Sequence, residues 1–296
     1  MNKFVKPHIK YYNAFNLIGG IGPISFKKLL GYFKTIENAW QAETGEFAKA
    51  GIGKSAIENI RAKRSQINLD FEMERLSREG VDLVTIQDKN YPKLLKEIYA
   101  PPAMLYVRGK ISSENNLGLG VVGSRNVSLY GKQITPLLTA ELAQAGLTII
   151  SGLAKGVDTL AHQAALKVGG NTIAVLGCGV DYKSIYPYCN RDLAEKIIQS
   201  GGAVISEFPL ETQPLPQYFP QRNRIISGLS KGVLVIEAAE RSGALITARD
   251  ALEQNRDVFA LPGPIFSVNS FGPNNLIKMG AKLISQADDI LQEFNL

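Results

Sequence analysis

Glycine, serine and a basic residue recur together at several points in the second half of the sequence. Three clusters have this composition: Gly123-Ser124-Arg125, the stretch 151–156 with Gly152 and Lys155, and Arg241-Ser242-Gly243 followed by Thr247. A fourth glycine cluster, Gly177-Cys178-Gly179, has no basic residue. Small residues let the backbone approach a ligand closely, helix N-termini supply N–H donors, and arginine and lysine supply positive charge. This combination is typical of phosphate binding, and the sequence therefore predicts a phosphate-binding site.

Short apolar runs precede these clusters and alternate with segments of helical periodicity. The runs lie at 117–122, 147–151, 171–177, 203–208, 232–238 and 257–263. Alternating helices and two-sided apolar strands indicate an α/β fold, Rossmann-like, with a mostly parallel, doubly wound sheet. Ligands of such sheets bind beyond the carboxyl ends of the strands, where the clusters would meet. A helix near 68–79 and strands near 81–86 and 101–109 are expected to form the first layer of this domain.

The first cluster also spells the dinucleotide-binding pattern G-x-G-x-x-G through Gly118, Gly120 and Gly123. In that fingerprint the glycines follow the strand, and an acidic residue about 20 residues further on binds the ribose. Here the first two glycines fall inside the apolar run, and the second strand ends at Ser151 without an acidic residue. The surroundings of these glycines therefore do not match the dinucleotide fingerprint, and no nucleotide cofactor is predicted.

The segment 214–232 places aromatic residues beside arginines. Tyr218 and Phe219 stand just before Arg222 and Arg224. Guanidinium groups on phosphates and rings on unstacked bases would suit a single nucleic-acid strand. The same residues could equally form an aromatic anchor for a loop, with arginines that pair locally, and the segment alone leaves both interpretations open.

Two N-terminal segments, 17–30 and 49–60, resemble each other around a shared Gly-Ile-Gly. They predict a small all-helical domain, residues 1–66, with paired helix–hairpin–helix motifs of the SAM-like kind, in which each glycine turn opens a helix. The N–H groups of such turns can contact a DNA phosphate. Alternatively, the glycines only close tight turns for packing, and both interpretations stay open.

Composition excludes several classes of protein. The chain has 296 residues, a net charge of +6, two cysteines and two histidines. No apolar run reaches membrane-spanning length, and the N-terminus lacks the apolar core of a signal peptide, which predicts a cytoplasmic protein. Cys178 and Cys189 fit neither a disulfide framework nor a metal site, so no metal is predicted. The mild basic excess permits nucleic acid as a partner without requiring it, and His162 is expected to be structural.

Several blocks, in order, resemble the bacterial DprA/Smf family, the DNA-processing protein A. They include VVGSRNVSLYG (121–131), SGLAKGVDTLAHQAAL (151–166), FPQRNRIISGLS (219–230) and GVLVIEAAERSGALITARD (232–250), within a resemblance that covers about residues 70–290. The resemblance implies an extended Rossmann-like domain, here residues 67–296, without a cofactor. It further implies a protein that is not an enzyme, binds single-stranded DNA, forms a homodimer, and loads the recombinase RecA onto that DNA in natural transformation. Many members continue with a winged-helix domain, which is not expected here because the chain ends at Leu296.

Carried over motif by motif, the resemblance implies one groove that binds the phosphates of single-stranded DNA. Its residues would be Gly123, Ser124, Arg125, Gly152, Lys155, Arg222, Arg224, Ser242, Gly243 and Thr247, with Phe219 as the base-stacking residue.

A competing hypothesis is an enzyme of the nucleoside-monophosphate phosphoribohydrolase group, which shares a G-S-R-like turn on a related fold. Those enzymes use a P-G-G-x-G-T-x-x-E segment whose glutamate does the chemistry. The corresponding stretch, 237–250, lacks the paired glycines and has no glutamate after the turn; Glu237 and Glu240 precede it. No catalytic residue is therefore assigned.

Overall fold

The computed structural model describes residues 8–111 and 117–296, which contain one nine-stranded sheet flanked by helices. The strands are β1 (Asp82–Thr85), β2 (Met104–Gly109), β3 (Gly118–Val122), β4 (Thr148–Ser151), β5 (Thr172–Leu176), β6 (Ala203–Ser206), β7 (Gly232–Val235), β8 (Asp257–Ala260) and β9 (Lys282–Leu283). Their spatial order is β1-β2-β6-β5-β4-β3-β7-β8-β9. Strands β3 to β9 run parallel. At one edge β2 pairs antiparallel with β6, and β1 pairs antiparallel with β2.

Fourteen α-helices lie in the part of the chain that the structure describes. They are α1 (Ile9–Asn16), α2 (Pro23–Phe33), α3 (Ile36–Gln41), α4 (Glu46–Lys49), α5 (Lys54–Lys63), α6 (Leu69–Arg78), α7 (Lys93–Lys96), α8 (Leu129–Gln144), α9 (Val157–Lys167), α10 (Arg191–Gln199), α11 (Tyr218–Gly228), α12 (Gly243–Glu253), α13 (Phe271–Lys278) and α14 (Asp288–Glu293). None of them is both long enough and apolar enough to cross a membrane.

The sheet is doubly wound, as the sequence predicts. From β3 the chain adds β4, β5 and β6 on one side, then returns to place β7, β8 and β9 on the other. Every residue of β3 to β7 is buried, because helices cover both faces. The strand order reverses between β3 and β7, and this reversal opens a crevice at their carboxyl ends.

Two glycines inside β3 serve packing. A Cβ atom at Gly118 would stand 2.6 Å from Ile150 Cδ1 and from the carbonyl oxygen of Leu229, and one at Gly120 would stand 3.1 Å from Val233 Cγ2. Both residues are paired within the sheet. The prediction that these glycines belong to the strand is therefore confirmed.

The N-terminal helices form the two predicted hairpins. Gly22 and Gly53 cap the N-termini of α2 and α5, and Gly20 and Gly51 have φ values of 88° and 76°, which glycine tolerates best. Each hairpin also stabilises the turn of the other. Lys28 Nζ donates to the Gly51 carbonyl at 2.8 Å, and Asn59 Nδ2 donates to the Gly19 carbonyl at 2.8 Å.

The hairpins pack directly on the sheet. The Tyr106 hydroxyl on β2 donates to Asn13 Oδ1 at 2.7 Å, and Asn16 Nδ2 donates to the same hydroxyl at 3.2 Å. One apolar cluster includes Phe15 from α1, Leu76 from α6 and Leu176 from β5. Residues 8–66 thus share a core with the sheet domain, and the expected domain boundary at residue 66 stays a prediction.

His162 is a fully buried structural residue on α9. Its Nδ1 lies 2.7 Å from Thr172 Oγ1, whose own proton goes to the Ile149 carbonyl. Nδ1 must therefore carry the imidazole proton, since the hydroxyl has one proton only. Nε2 has no hydrogen-bond partner among the described residues. Burial, together with the positive charge of Arg222, lowers the pKa of His162 to about 3.

This lowered pKa predicts a loss of stability in mild acid. The unfolded chain binds a proton at His162 below about pH 6.5, whereas the folded chain does not until the pH approaches 3. Between pH 7.5 and 5.5 the free energy of unfolding should therefore fall by about 1.4 kcal/mol from this residue alone. Urea unfolding at several pH values measures the slope, and His162→Gln should flatten it. Equal slopes in both proteins would contradict the assignment.

Candidate phosphate-binding groove

A groove of about 730 Å³ opens at the reversal point between β3 and β7. The turns after β3 and β7, the first turn of α12 and one face of α11 form its walls. Its lining includes Gly123, Ser124, Arg125, Asn126, Ala154, Asp158, Tyr186, Phe219, Arg222, Asn223, Ile226, Arg241, Ser242, Gly243 and Thr247. The glycine clusters 123–125 and 241–243 thus both line the groove, and the stretch 151–156 contributes Ala154.

The turn after β3 is packed tightly against the turn after β4. A Cβ atom at Gly123 would stand 2.6 Å from Val157 Cγ2, and one at Gly156 would collide with the carbonyl oxygen of Ser124. The Val157 N–H donates to that same carbonyl at 3.2 Å. Gly123 is therefore needed for packing between turns, and the Ser124 hydroxyl accepts from the Asn126 N–H at 3.1 Å, which fixes the turn.

Glu237, at the end of the β7 run, anchors the opposite end of the same turn. Its carboxylate accepts the Ser128 N–H at 3.0 Å, the Ser128 hydroxyl, and Asn269 Nδ2 at 3.2 Å. Glu237 is 3% exposed. Its carboxylate therefore positions the turn that carries Arg125.

The groove has two exposed cations with no counterion. Arg125 and Arg241 are exposed, and neither forms an ion pair with a residue in 8–111 or 117–296. The Arg125 guanidinium lies 5.4 Å from the centroid of the Phe219 ring, within cation–π range. The ring thus holds the guanidinium at the groove while leaving its N–H donors available to an anion.

The N-terminus of α12 supplies the second wall. Ser242 caps this 11-residue helix by accepting the Ala244 N–H at 3.3 Å, and Ser242, Gly243 and Ala244 all line the groove. One turn further on, Thr247 also lines it. Thr247 is 1% exposed, and its hydroxyl has no hydrogen-bond partner among the described residues. A buried hydroxyl without a partner is unfavourable, and a bound phosphate oxygen would satisfy it.

The floor of the groove is a buried arginine. Arg222 is 4% exposed, and its guanidinium donates to the carbonyls of Gly152 and Val175. Nearby Asp158 accepts the Gly152 N–H at 3.0 Å and the Ala154 N–H at 3.3 Å. Burial raises the pKa of the Asp158 carboxyl, and the Arg222 charge opposes that rise. The N–H donors of Arg222 are therefore used within the fold, and its positive charge lies beneath the groove. Gly152 leaves space for the guanidinium, since a Cβ atom there would overlap it.

Three predicted contacts do not meet at the groove. Arg224, which was expected to line it, pairs instead with Glu207 and donates to the Ala100 carbonyl at 2.6 Å, so this placement was wrong. The physical reason is that α11 turns about 100° per residue, which puts residues 222 and 224 on opposite faces. Lys155 is exposed on the turn after β4 but does not line the groove, and neither does Gly152.

Arg241 and Tyr186 line the groove but were not among the predicted site residues. Arg241 belongs to the predicted 241–243 cluster, and its charge at the end of β7 was the signal that could have included it. Tyr186 comes from the loop after β5, and its ring centroid lies 6.1 Å from that of Phe219. No local pattern in the sequence predicts this contact, because the two rings come together only when the strands have taken their order in the sheet.

The fourth glycine cluster, 177–179, packs against Phe219. A Cβ atom at Gly177 would lie 3.2 Å from the Phe219 ring.

Fold and groove together define a Rossmann-like protein with a cationic, open groove at its reversal point. Comparison with known proteins identifies the family. A family model described as DNA recombination-mediator protein A matches residues 82–295, and the chain belongs to this family.

Individual relatives agree with that assignment. The chain is 41% identical to the protein Smf of Synechocystis sp. PCC 6803 over 286 residues, which are 95% of this chain and 71% of that one. The crystal structure of DNA processing protein A from Streptococcus pneumoniae is similar, with a TM-score of 0.83, 37% identity, and coverage of 96% and 97% of the two chains. A structure of DNA processing protein A from Helicobacter pylori, which concerns that protein's single-stranded DNA binding mode, is similar with a TM-score of 0.64. It is 31% identical and covers 73% of this chain and 97% of its own.

The unpartnered hydroxyl of Thr247 yields a prediction in which stability and binding change in opposite directions. Thr247→Val keeps the shape of the side chain and removes a buried unsatisfied group, so the free energy of unfolding should stay equal or rise by up to about 1 kcal/mol. Affinity for oligothymidylate should fall roughly threefold to tenfold, which corresponds to one lost hydrogen bond.

Thr135→Val is the matched control. Thr135 is equally buried, but its hydroxyl donates to the Gly131 carbonyl at 2.7 Å. This variant should lose stability and keep its affinity. Urea unfolding and fluorescence anisotropy measure the two quantities. A Thr247→Val protein that loses stability at unchanged affinity would refute the binding role of this hydroxyl.

Proposed function

We propose that this protein binds single-stranded DNA in the groove and delivers it to a recombinase. The observation that carries this proposal is the combination at one site of two unpaired arginines, a helix N-terminus with an unpartnered buried hydroxyl, and two aromatic rings. The phosphate contacts are assigned to Arg125, Arg241, Ser242, Gly243 and Thr247, with Gly123 and Ser124 shaping the turn and Phe219 stacking on a base.

Single-stranded DNA fits the groove better than a nucleotide cofactor or a duplex does. The cations stand on two separate turns, and a strand can place successive phosphates on both. Phe219 and Tyr186 offer ring faces to bases, which are free in a single strand and covered in a duplex. The relative from Helicobacter pylori, whose structure concerns single-stranded DNA binding, supports the same ligand.

The groove is proposed to bind without catalysis. The acidic residue in its lining is Asp158, and one of its carboxylate oxygens is engaged with two backbone N–H groups. Glu237, the candidate for a phosphoribohydrolase glutamate, is bonded to Ser128 and Asn269. Glu237 is thus engaged in holding the turn, and Asp158 is buried beside the charge of Arg222, which favours the binding function over the enzyme.

Delivery of the strand to RecA, in the cytoplasm and during natural transformation, completes the proposal. The family description as a recombination mediator supports it.

A homodimer is proposed as the working form. Ile265, Phe266 and Val268, in the loop after β8, are 83%, 95% and 75% exposed, and an apolar cluster of this kind is typical of a contact surface.

Arg125→Ala tests the binding function. Loss of one charge-assisted phosphate contact should weaken binding of oligothymidylate by roughly 1–3 kcal/mol. Because the variant neutralises one phosphate fewer, the slope of log K against log salt should become shallower by about 0.7. Arg78→Ala, which removes an exposed arginine of α6 paired with Glu74, should leave affinity and slope unchanged. Salt-independent binding by the wild type, or no binding, would refute the proposal.

RecA loading is tested on single-stranded DNA already covered by a single-strand binding protein. The wild type should shorten the lag before RecA begins to hydrolyse ATP on this DNA, and Arg125→Ala should shorten it less because it holds the strand more weakly. If the wild type binds DNA but leaves the lag unchanged, the loading function is refuted while the binding function remains.

A further inference from the structure

Aromatic side chains continue outward from the groove along the loop after β5. Tyr186 lines the groove beside Phe219, and the ring centroid of Tyr188 lies 5.8 Å from that of Tyr186, at an interplanar angle of 82°. Tyr182 belongs to the same loop. We call Tyr182, Tyr186 and Tyr188 the tyrosine row; Tyr182 and Tyr188 lie outside the groove lining.

The tyrosine row is exposed and interleaved with positive charge. Tyr182, Tyr186 and Tyr188 are 44%, 39% and 58% exposed. The Arg191 guanidinium lies 4.5 Å from the ring centroid of Tyr188 and 5.2 Å from that of Tyr182. Within the described ranges Arg191 forms no ion pair, and it donates to the Lys183 carbonyl instead. Rings alternating with an uncompensated guanidinium are the arrangement that single-strand binding grooves use.

The loop that carries the row is held in place from both ends. Asp181 accepts from the Ser184 N–H at 3.1 Å and the Ser184 hydroxyl at 2.7 Å, and its other oxygen accepts the Glu211 N–H at 2.8 Å. At the far end, Asn190 Nδ2 donates to the Leu153 carbonyl at 2.8 Å, which ties the loop to the turn of Lys155. Rings on a fixed loop lose little conformational freedom on binding, which favours a recognition role.

We propose that the tyrosine row is a second base-stacking subsite, which binds unpaired nucleotides of the same strand where it leaves the groove past Phe219. This inference rests on the proposed function, because it extends the path of the strand that the groove holds. The groove supplies phosphate contacts, and the row supplies ring faces to the next bases, with Arg191 beside their phosphates. Tyr188 is the decisive residue, since it lies outside the groove and is the most exposed member of the row.

The test measures the affinities of oligothymidylates of increasing length for the wild type, two variants of Tyr188 and one control variant. Tyr188→Ala should weaken the longer oligonucleotides at least about fivefold, the lower end for one lost base stack, and leave the shortest unaffected. Tyr188→Phe keeps the ring and should bind as the wild type does. Tyr99→Ala, which removes a tyrosine 90% exposed outside this loop, is the matched control and should have no effect.

Three further measurements test whether the row stacks on bases rather than binding charge. The salt slope of Tyr188→Ala should equal that of the wild type, since no phosphate contact is lost. An oligonucleotide with abasic sites at the outer positions should bind both proteins equally. Photo-crosslinking of iodouracil placed at those positions should label Tyr188 or Tyr182, as identified by mass spectrometry.

The outcomes distinguish this inference from the proposed function. If the wild type binds, Arg125→Ala weakens binding, and Tyr188→Ala binds every length as the wild type does, the stacking subsite is refuted and the function stands. If the wild type itself binds no single strand, the proposed function fails, and the subsite fails with it. Equal losses for Tyr188→Ala and Tyr188→Phe would also refute stacking.

Discussion

The groove depends on one buried positive charge. Arg222 brings its guanidinium beneath the surface, where it donates to the carbonyls at the ends of β4 and β5. A buried charge is costly unless it is paired and hydrogen-bonded, so these strand ends, Asp158 and α11 are constrained to meet around it. Gly152 follows from the same constraint, because a side chain there would occupy the space of the guanidinium. Replacing Arg222 would therefore disturb the packing beneath the groove.

The same helix that buries Arg222 also presents the aromatic wall. Phe219, Arg222, Asn223 and Ile226 line the groove, and their spacing of three, four and seven residues is that of one helical face. Phe219 in turn supports Arg125 from the turn after β3. One face of α11 thus carries the buried charge of Arg222 and the ring of Phe219, and that ring contacts the exposed guanidinium of Arg125.

The sequence predicts those features of the structure that depend on local pattern, and it does not predict those that depend on contacts between distant segments. Alternating apolar runs predict the parallel sheet, and the position of Gly118 and Gly120 within a run excludes the dinucleotide fingerprint, since both depend on local pattern alone. The placement of Arg224 was wrong because the segment 214–232 was interpreted by residue type, without the helical period that separates 224 from 222. Tyr186 lay beyond sequence reasoning for another reason: its contact with Phe219 depends on which strands become neighbours, which no local pattern encodes.

The distribution of unsatisfied groups argues for a ligand of extended negative charge. The fold pairs Arg108, Arg222 and Arg224 with carbonyls or carboxylates. At the groove it leaves Arg125 and Arg241 without counterions, and Thr247 without a hydrogen-bond partner among the described residues. Thr139 on α8 also has a buried hydroxyl without a partner among the described residues, so one such hydroxyl does not mark a site by itself. At the groove, however, the hydroxyl of Thr247 coincides with two unpaired cations and a helix N-terminus. Because these groups stand on separate elements along an open groove, a chain of phosphates satisfies them together where a single phosphate would reach only part of them.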